Sequence, residues 1–222
     1  MIDKRESMRL ATTTFGAGDF GATRVNFTVD DAGMVSCNAS VWTHALFVKM
    51  PVKFKHVAGS FTITDNFMLE TLEGVPSTVD GSFTCRDSLN LQTLQGAPTS
   101  VGGSFICSKN ANLVSLVGAP ESVPEHFDCR NLPKLKSLEG LPTYIGGRLR
   151  VTYNRKMPLL RSLVAQKGVD LTRITKILPQ YPSSAAETVE KIINAYAGQG
   201  KRAMFECQKA LEDAGFKENA RW

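Results

Sequence analysis

Three cysteines, Cys85, Cys107 and Cys129, recur at intervals of 22 residues, and thiols in such regular array are candidates for metal ligation or redox chemistry. Zinc sites, however, draw on cysteine pairs two to four residues apart, and no such pair occurs here. The same interval places Ile63 before the cysteines and Val151 after them, which marks the position as a slot for a small apolar side chain. Free cysteine fills such slots well, so the expected role is packing, with no metal and no cofactor. Cys37 is expected to fill the same role one unit earlier, although a longer unit separates it from Ile63. Cys207 shares a helical face with Ala203, Ala210, Leu211 and Ala214, again a packing position. Among the histidines, only His126 is expected on an exposed sheet, beside Asp128 and Arg148. A His–Asp pair without a placed nucleophile or a pocket does not make a catalytic site. The residue chemistry predicts no enzyme.

What positions these residues is a repeat. Phe61, Phe83, Phe105, Phe127 and Leu149 align at the same 22-residue step. So do Leu69, Leu91, Leu113, Leu135 and Met157, then Leu72, Leu94, Leu116, Leu138 and Leu160. Gly74, Gly96, Gly118 and Gly140 each stand two residues before a proline, and Val79, Val101, Val123 and Ile145 complete the set. Phe-x-Cys alternates in and out as a short strand does. Leu-x-x-Leu spans one helical or 3₁₀ turn, and Gly-Ala-Pro forms a corner off the sheet. One unit cannot hide its apolar side, but stacked units can, each adding a strand to a parallel sheet. The expected fold is therefore an α/β solenoid of 22-residue units.

Three residues after the second strand hydrophobe stand Asn66, Ser88, Asn110, Leu132 and Asn154, and Ser40 follows Cys37 by the same step. With the Leu columns, this pattern resembles the leucine-rich-repeat family, in which such an Asn hydrogen-bonds neighbouring turns. The GAP, GG and Phe-x-Cys elements look most like the short irregular repeats of bacteriophage and some bacterial proteins. The resemblance covers roughly Val35 to Leu163 and departs from the Asn pattern at Leu132. It implies a binding scaffold, and a mode in which a small phage protein seizes a host enzyme or defence protein in the host cytoplasm.

The expected organisation is an N-terminal β cap over residues 1–34, a solenoid over 35–163 and a C-terminal helical cap or interaction domain over 164–222. In the first, Val25, Phe27 and Val29 precede an Asp-Asp-Ala-Gly hairpin turn. Residues 42–57 read as a degenerate unit, with Phe47, Met50 and Val57 one period before Leu69, Leu72 and Val79. In the last, Asp170 or Thr172 offers a cap and Pro179 a stop. Ser184 and Glu187 form a capping box, Val189, Ile192, Ile193 and Tyr196 an apolar stripe, and a second helix runs from about Lys201 to Ala214.

Residues flanking the inward positions should form the solvent face of the sheet: Ser60, Ser82, Ser104, His126 and Arg148 in one column; Thr62, Thr84, Ile106, Asp128 and Arg150 in the next; Thr64, Arg86, Ser108, Arg130 and Thr152 in the third. Thr84, Arg86, Ile106, His126, Asp128, Arg130, Arg148 and Arg150 are the candidate protein-binding residues. Arg155, Lys156 and Arg161 form a candidate basic patch, with Lys134 and Lys136 near it. Charge is uneven: 7 basic and 5 acidic residues over 1–58, 5 and 9 over 59–146, and 14 and 7 over 147–222. A basic end attracts an acidic protein or nucleic acid. Nucleic acid is the weaker reading, because the phenylalanines belong to the core and no nucleic-acid-binding motif occurs. A structural protein dimerising through the C-terminal hairpin is a third reading; the oligomeric state expected is monomer or homodimer. The chain has no signal-like start, no membrane-length apolar run and an odd number of cysteines, which together predict the cytoplasm and no membrane contact.

Overall fold

The in-register stacking demanded by the period is what the computed structural model contains; it describes residues 3–18, 25–160, 176–178, 184–196 and 199–221. Strands β4 (Val41–Thr43), β6 (Phe61–Thr64), β8 (Phe83–Arg86), β10 (Phe105–Ile106), β12 (Phe127–Cys129) and β14 (Leu149–Thr152) lie side by side in parallel. Pairing joins Phe61 to Phe83, Phe83 to Phe105, Phe105 to Phe127 and Phe127 to Leu149. The four rings stack with centroids 6.1, 5.2 and 5.4 Å apart and planes within 28°. All four are fully buried. The fold is a β-solenoid of leucine-rich-repeat-like architecture.

Each coil closes through turns rather than helices. The N–H groups of Leu69, Leu91, Leu113, Leu135 and Met157 donate to the carbonyl three residues back. At the corner, Gly74 has φ +97° and Gly118 φ +102°, a region that side chains with a Cβ avoid. After it comes a second short strand in each coil. β7 (Thr78–Val79) and β9 (Ser100–Val101) extend a sheet with β5 (Phe54–Val57), and β11 (Ser122–Val123) pairs with β13 (Tyr144–Ile145). The sequence marked this column only by its Val residues.

Both ends depart from the period. α1 (Lys4–Thr14) makes the N-terminal cap mixed α/β, where a β cap was expected. Asp3 caps it by accepting the Glu6 N–H at 2.9 Å, and Ala11 is buried. Asp3-x-x-Glu6 ahead of Met8, Leu10 and Ala11 is the local signal for that helix. β1 (Gly16–Ala17) then pairs antiparallel with β4. The Asp-Asp-Ala-Gly hairpin is present as β2 (Phe27–Val29) antiparallel to β3 (Val35–Cys37). Cys37 is a correction: β3 pairs with β5, so Cys37 stands beside Val57 in the second sheet, and Thr43 precedes Ile63 in the cysteine column. The step there is two residues short of the period, 20 residues from Val41 to Phe61. Val57 does stand one period before Val79.

At the other end β15 (Lys176–Leu178) adds to β14, with Arg150 paired to Lys176, an offset of 26 residues. The expected caps at Asp170, Thr172 and Pro179 lie outside the described residues. α2 (Ser184–Tyr196) and α3 (Gly200–Asp213) form the helical hairpin. Val189 and Ile193 are buried with Cys207 and Leu211, while Ala214 is exposed. The last coil is closed by Asn219. Its Nδ2 donates to the carbonyls of Asn154 and Met157 at 3.0 and 2.8 Å, and its Oδ1 accepts from Tyr153.

The Asn column works as the resemblance implies. Buried Asn110 donates to the carbonyls of Cys85 and Cys107 and accepts the Ser88 N–H. Just before it, Asp65, Asp87, Lys109 and Asn131 all have φ near +60°, a left-handed bend that Asp and Asn tolerate and Lys resists. Replacing Asn110 by Ala should cost about 3 kcal/mol, because one N–H and two carbonyls lose their buried partner. Lys109→Asn should instead add about 0.5–1 kcal/mol. Urea unfolding midpoints measure both.

Candidate functional site

The outward row of the main sheet runs in register through Trp42, Thr62, Thr84, Ile106, Asp128 and Arg150. Trp42, not among the expected site residues, begins it. The indole is 42% exposed and lies against Gly16, where a Cβ would sit 2.5 Å from the ring. Its position in the middle of an alternating Val-Trp-Thr triplet was the signal for it. Thr84, Ile106 and Arg150 are half-buried, and Arg86 and Arg148 are exposed.

Asp128 behaves differently from its neighbours. It was expected at the solvent face, yet it is 3% exposed. Arg130 lies over it, with Nε 2.9 and 3.0 Å from the two carboxylate oxygens and Nη2 at 2.6 Å. Arg150 Nη1 is 3.8 Å away on the adjacent strand. The carboxylate therefore fixes the Arg130 guanidinium by hydrogen bonds and draws Arg150 beside it as a looser ion pair, and presents neither oxygen to a partner. A single buried anion between two cations also offsets the repulsion they would otherwise exert. Arg130, charged at any accessible pH, is held so more firmly by this hydrogen bonding.

The first outward column is largely structural, a second correction. Ser60 Oγ accepts the Ser82 N–H at 3.0 Å, and Ser82 Oγ accepts the Ser104 N–H at 2.9 Å. Ser104 Oγ accepts from His126 N–H, and His126 Nδ1 accepts the Arg148 N–H at 2.9 Å. Ser40 begins this ladder by accepting from Ser60, so it does not belong to the Asn column. The ladder assigns His126 the tautomer with its proton on Nε2, and the ring makes no bond to Asp128. Thr64 and Ser108 are buried as well. Elsewhere Thr64 Oγ1 and Asp65 both approach Nδ1 of His44, at 2.8 and 3.9 Å. A relay would need acid and hydroxyl on opposite ring nitrogens.

The basic end divides in two. Arg148 and Arg150 belong to the sheet face, whereas Arg155 and Lys156 lie in the turn after β14. There Lys134, Lys136 and Lys156 rim a cavity of about 410 Å³ floored by Val114, Pro133 and Leu135. A cavity of about 260 Å³ adjoins it, reaching Leu132, Cys129 and Met157, where the Asn column is interrupted. Arg161 lies outside the described residues.

Cys85, Cys107 and Cys129 occupy the inward column with Ile63 and Val151 and are fully buried free thiols. Burial pushes the Cys85 thiol up to about 12 and Cys207 up to about 11, and Cys107 and Cys129 also upward. The Gly-Gly pairs are close backbone contacts: a Cβ at Gly102 would collide with the Asp80 carbonyl. No helix among the described residues is long and apolar enough to cross a membrane. No family model, curated protein or solved structure matches the chain.

Because the unfolded chain's thiols ionise near ~8.5 while folded Cys85, Cys107 and Cys129 keep their protons, stability is complete below that pH and declines as pH rises toward 12, by about 1.4 kcal/mol per pH unit for each of these three. Replacing Cys85, Cys107 and Cys129 together by Val should leave the fold intact and flatten this alkaline decline in thermal melts. In the unchanged protein at pH 8, a disulfide reagent should label the five cysteines only as fast as the chain opens.

Proposed function

We propose that this chain is a non-enzymatic protein-interaction scaffold acting in the cytoplasm, and that its sheet face grips an acidic surface on a protein partner. The observation that carries the reading is the outward row itself. Over six strands, or ~24 Å at the spacing of a parallel ladder, it passes from Trp42 through Thr62, Thr84 and Ile106 to paired arginines. The hydroxyl and methyl groups leave the middle of the face low. An aromatic anchor at one end and fixed guanidinium groups at the other then supply the two contact types that dominate protein interfaces. Arg86, Arg130, Arg148 and Arg150 steer an acidic partner and set its orientation.

The finer reading is that the partner is a host enzyme or defence protein, and that the chain is a phage-encoded inhibitor working by occlusion or allosteric trapping. Its support is the family resemblance of the repeats, not any single residue. Arg148 and Arg150 favour a second reading, nucleic acid. Against it, the rings of Phe61, Phe83, Phe105 and Phe127 are locked in the internal stack, leaving Trp42 as the aromatic of the sheet face, five strands from Arg150.

Capture from host lysate should return a stoichiometric protein, and replacing Thr84, Ile106, Arg148 and Arg150 by Glu together should lower that capture more than tenfold without altering the circular dichroism. Unchanged capture would move the site off the sheet. A mobility shift of labelled DNA or RNA at physiological salt, abolished by the same variant, would replace the protein reading with the nucleic-acid one.

A further inference from the structure

A different surface, the edge formed by the turns that follow the main-sheet strands, changes character from one end of the solenoid to the other. In the first full coil it carries Phe67 and Met68, 50% and 40% exposed, beside exposed Glu70. Four coils later, at equivalent positions, stand Arg155 and Lys156, with Lys134 and Lys136 one coil before them. All four cations are exposed, and none has an ion pair among the described residues. Glu70 is likewise unpaired, and Asp65 meets only His44, at 3.9 Å. Lys49 is exposed one coil before Glu70, whose N–H donates to the Val48 carbonyl at 2.9 Å. Midway lie Ala111, small and half-buried, and Val114, 43% exposed.

We infer that this edge is a self-association surface, on which a second copy of the chain docks antiparallel about a two-fold axis passing by Ala111 and Val114. The edge is its own complement. Rotation about that axis maps the coil of Phe67 onto the coil of Arg155, ~19 Å away at four ladder steps. It also maps Leu89 onto Pro133, and Val114 onto itself. Phe67 and Met68 of one copy then cover the stems of Arg155 and Lys156 and the apolar floor of the ~410 Å³ cavity in the other. Glu70 falls among the lysines that rim it. Every contact is made twice, as a closed two-fold interface requires. The small residues on the axis permit close approach. A strip this narrow buries less than the ~1,200 Å² of a standard interface, so the dimer is weak and sensitive to salt. The sheet face stays free, which separates this inference from the proposed function.

Two charge-reversed variants decide it. One carries Lys134→Glu, Lys136→Glu and Lys156→Glu, which puts acidic groups at both ends of the edge; the other carries Asp65→Lys and Glu70→Lys, which puts basic groups at both ends. In sedimentation at about 50 mM salt, the unchanged protein should pass from monomer to dimer between about 5 and 200 µM, and return to monomer at about 500 mM. Each variant alone should stay monomeric with an unchanged circular dichroism spectrum. Mixed in equal amounts they should form a heterodimer, since each half again meets its complement. The sheet-face variant should dimerise normally. A monomer at every concentration, dimerisation that both variants retain, or folded variants that fail to combine would each overturn the inference. If the unchanged protein stays monomeric and edge reversal instead abolishes capture of a host protein, the edge belongs to that partner and not to a second copy.

Discussion

Register between successive coils is the constraint on which everything else in this molecule rests. A single 22-residue coil holds two short strands and two turns, too little to bury a phenylalanine. Stacked at one strand spacing, each ring finds another 5 to 6 Å away, and each carbonyl finds the N–H of the next coil. The polar interior obeys the same register. The Ser60–Ser82–Ser104–His126 ladder and the Asn110 bonds satisfy backbone groups that the strands, only two to four residues long, leave over.

Such a stack has two raw ends, and they are closed by different physics. At the front, Phe15 and Phe54 meet edge to face, 5.0 Å apart and at 82°, and Phe54 meets Phe61 in the same way. The turn from parallel to perpendicular rings ends the ladder, and α1 lies over the β2–β3 hairpin. At the back a single buried amide, Asn219, satisfies the carbonyls that a further coil would have bonded. The helices α2 and α3 bring that residue into place from the far end of the chain.

Repetition also explains how charge is arranged. A column of one residue type places like charges ~4.8 Å apart, where they repel. The structure relieves this on the sheet face by setting Asp128 between Arg130 and Arg150. On the turn edge Asp87 does the same for Arg86 and Lys109, at 4.0 and 3.9 Å, but no acid among the described residues pairs with Lys134, Lys136 or Lys156, which remain available to a partner. The aromatic and apolar residues gather at the opposite end of both surfaces, Trp42 on one and Phe67 with Met68 on the other. The molecule is thus polar along its axis, which gives any interface a defined direction.

The fold was legible in the residues because a period of 22 repeats every energetic demand of a coil, and each repetition confirms the last. The Phe stack, the buried thiols at Cys85, Cys107 and Cys129 and the Gly corners follow from spacing, and the Asn110 bonds from the resemblance to leucine-rich repeats. The ends were less legible, since α1 and Asn219 occur once and nothing repeats to reveal them. The sites were legible only as lists of outward positions. Whether an outward side chain meets solvent depends on its neighbours in adjacent coils, which is why Asp128 proved buried beneath arginines and the serines proved bonded to backbone. The sequence by itself thus determined which residues share a row. Only the tertiary structure decided which rows reach water, because burial depends on chain segments brought together from different coils.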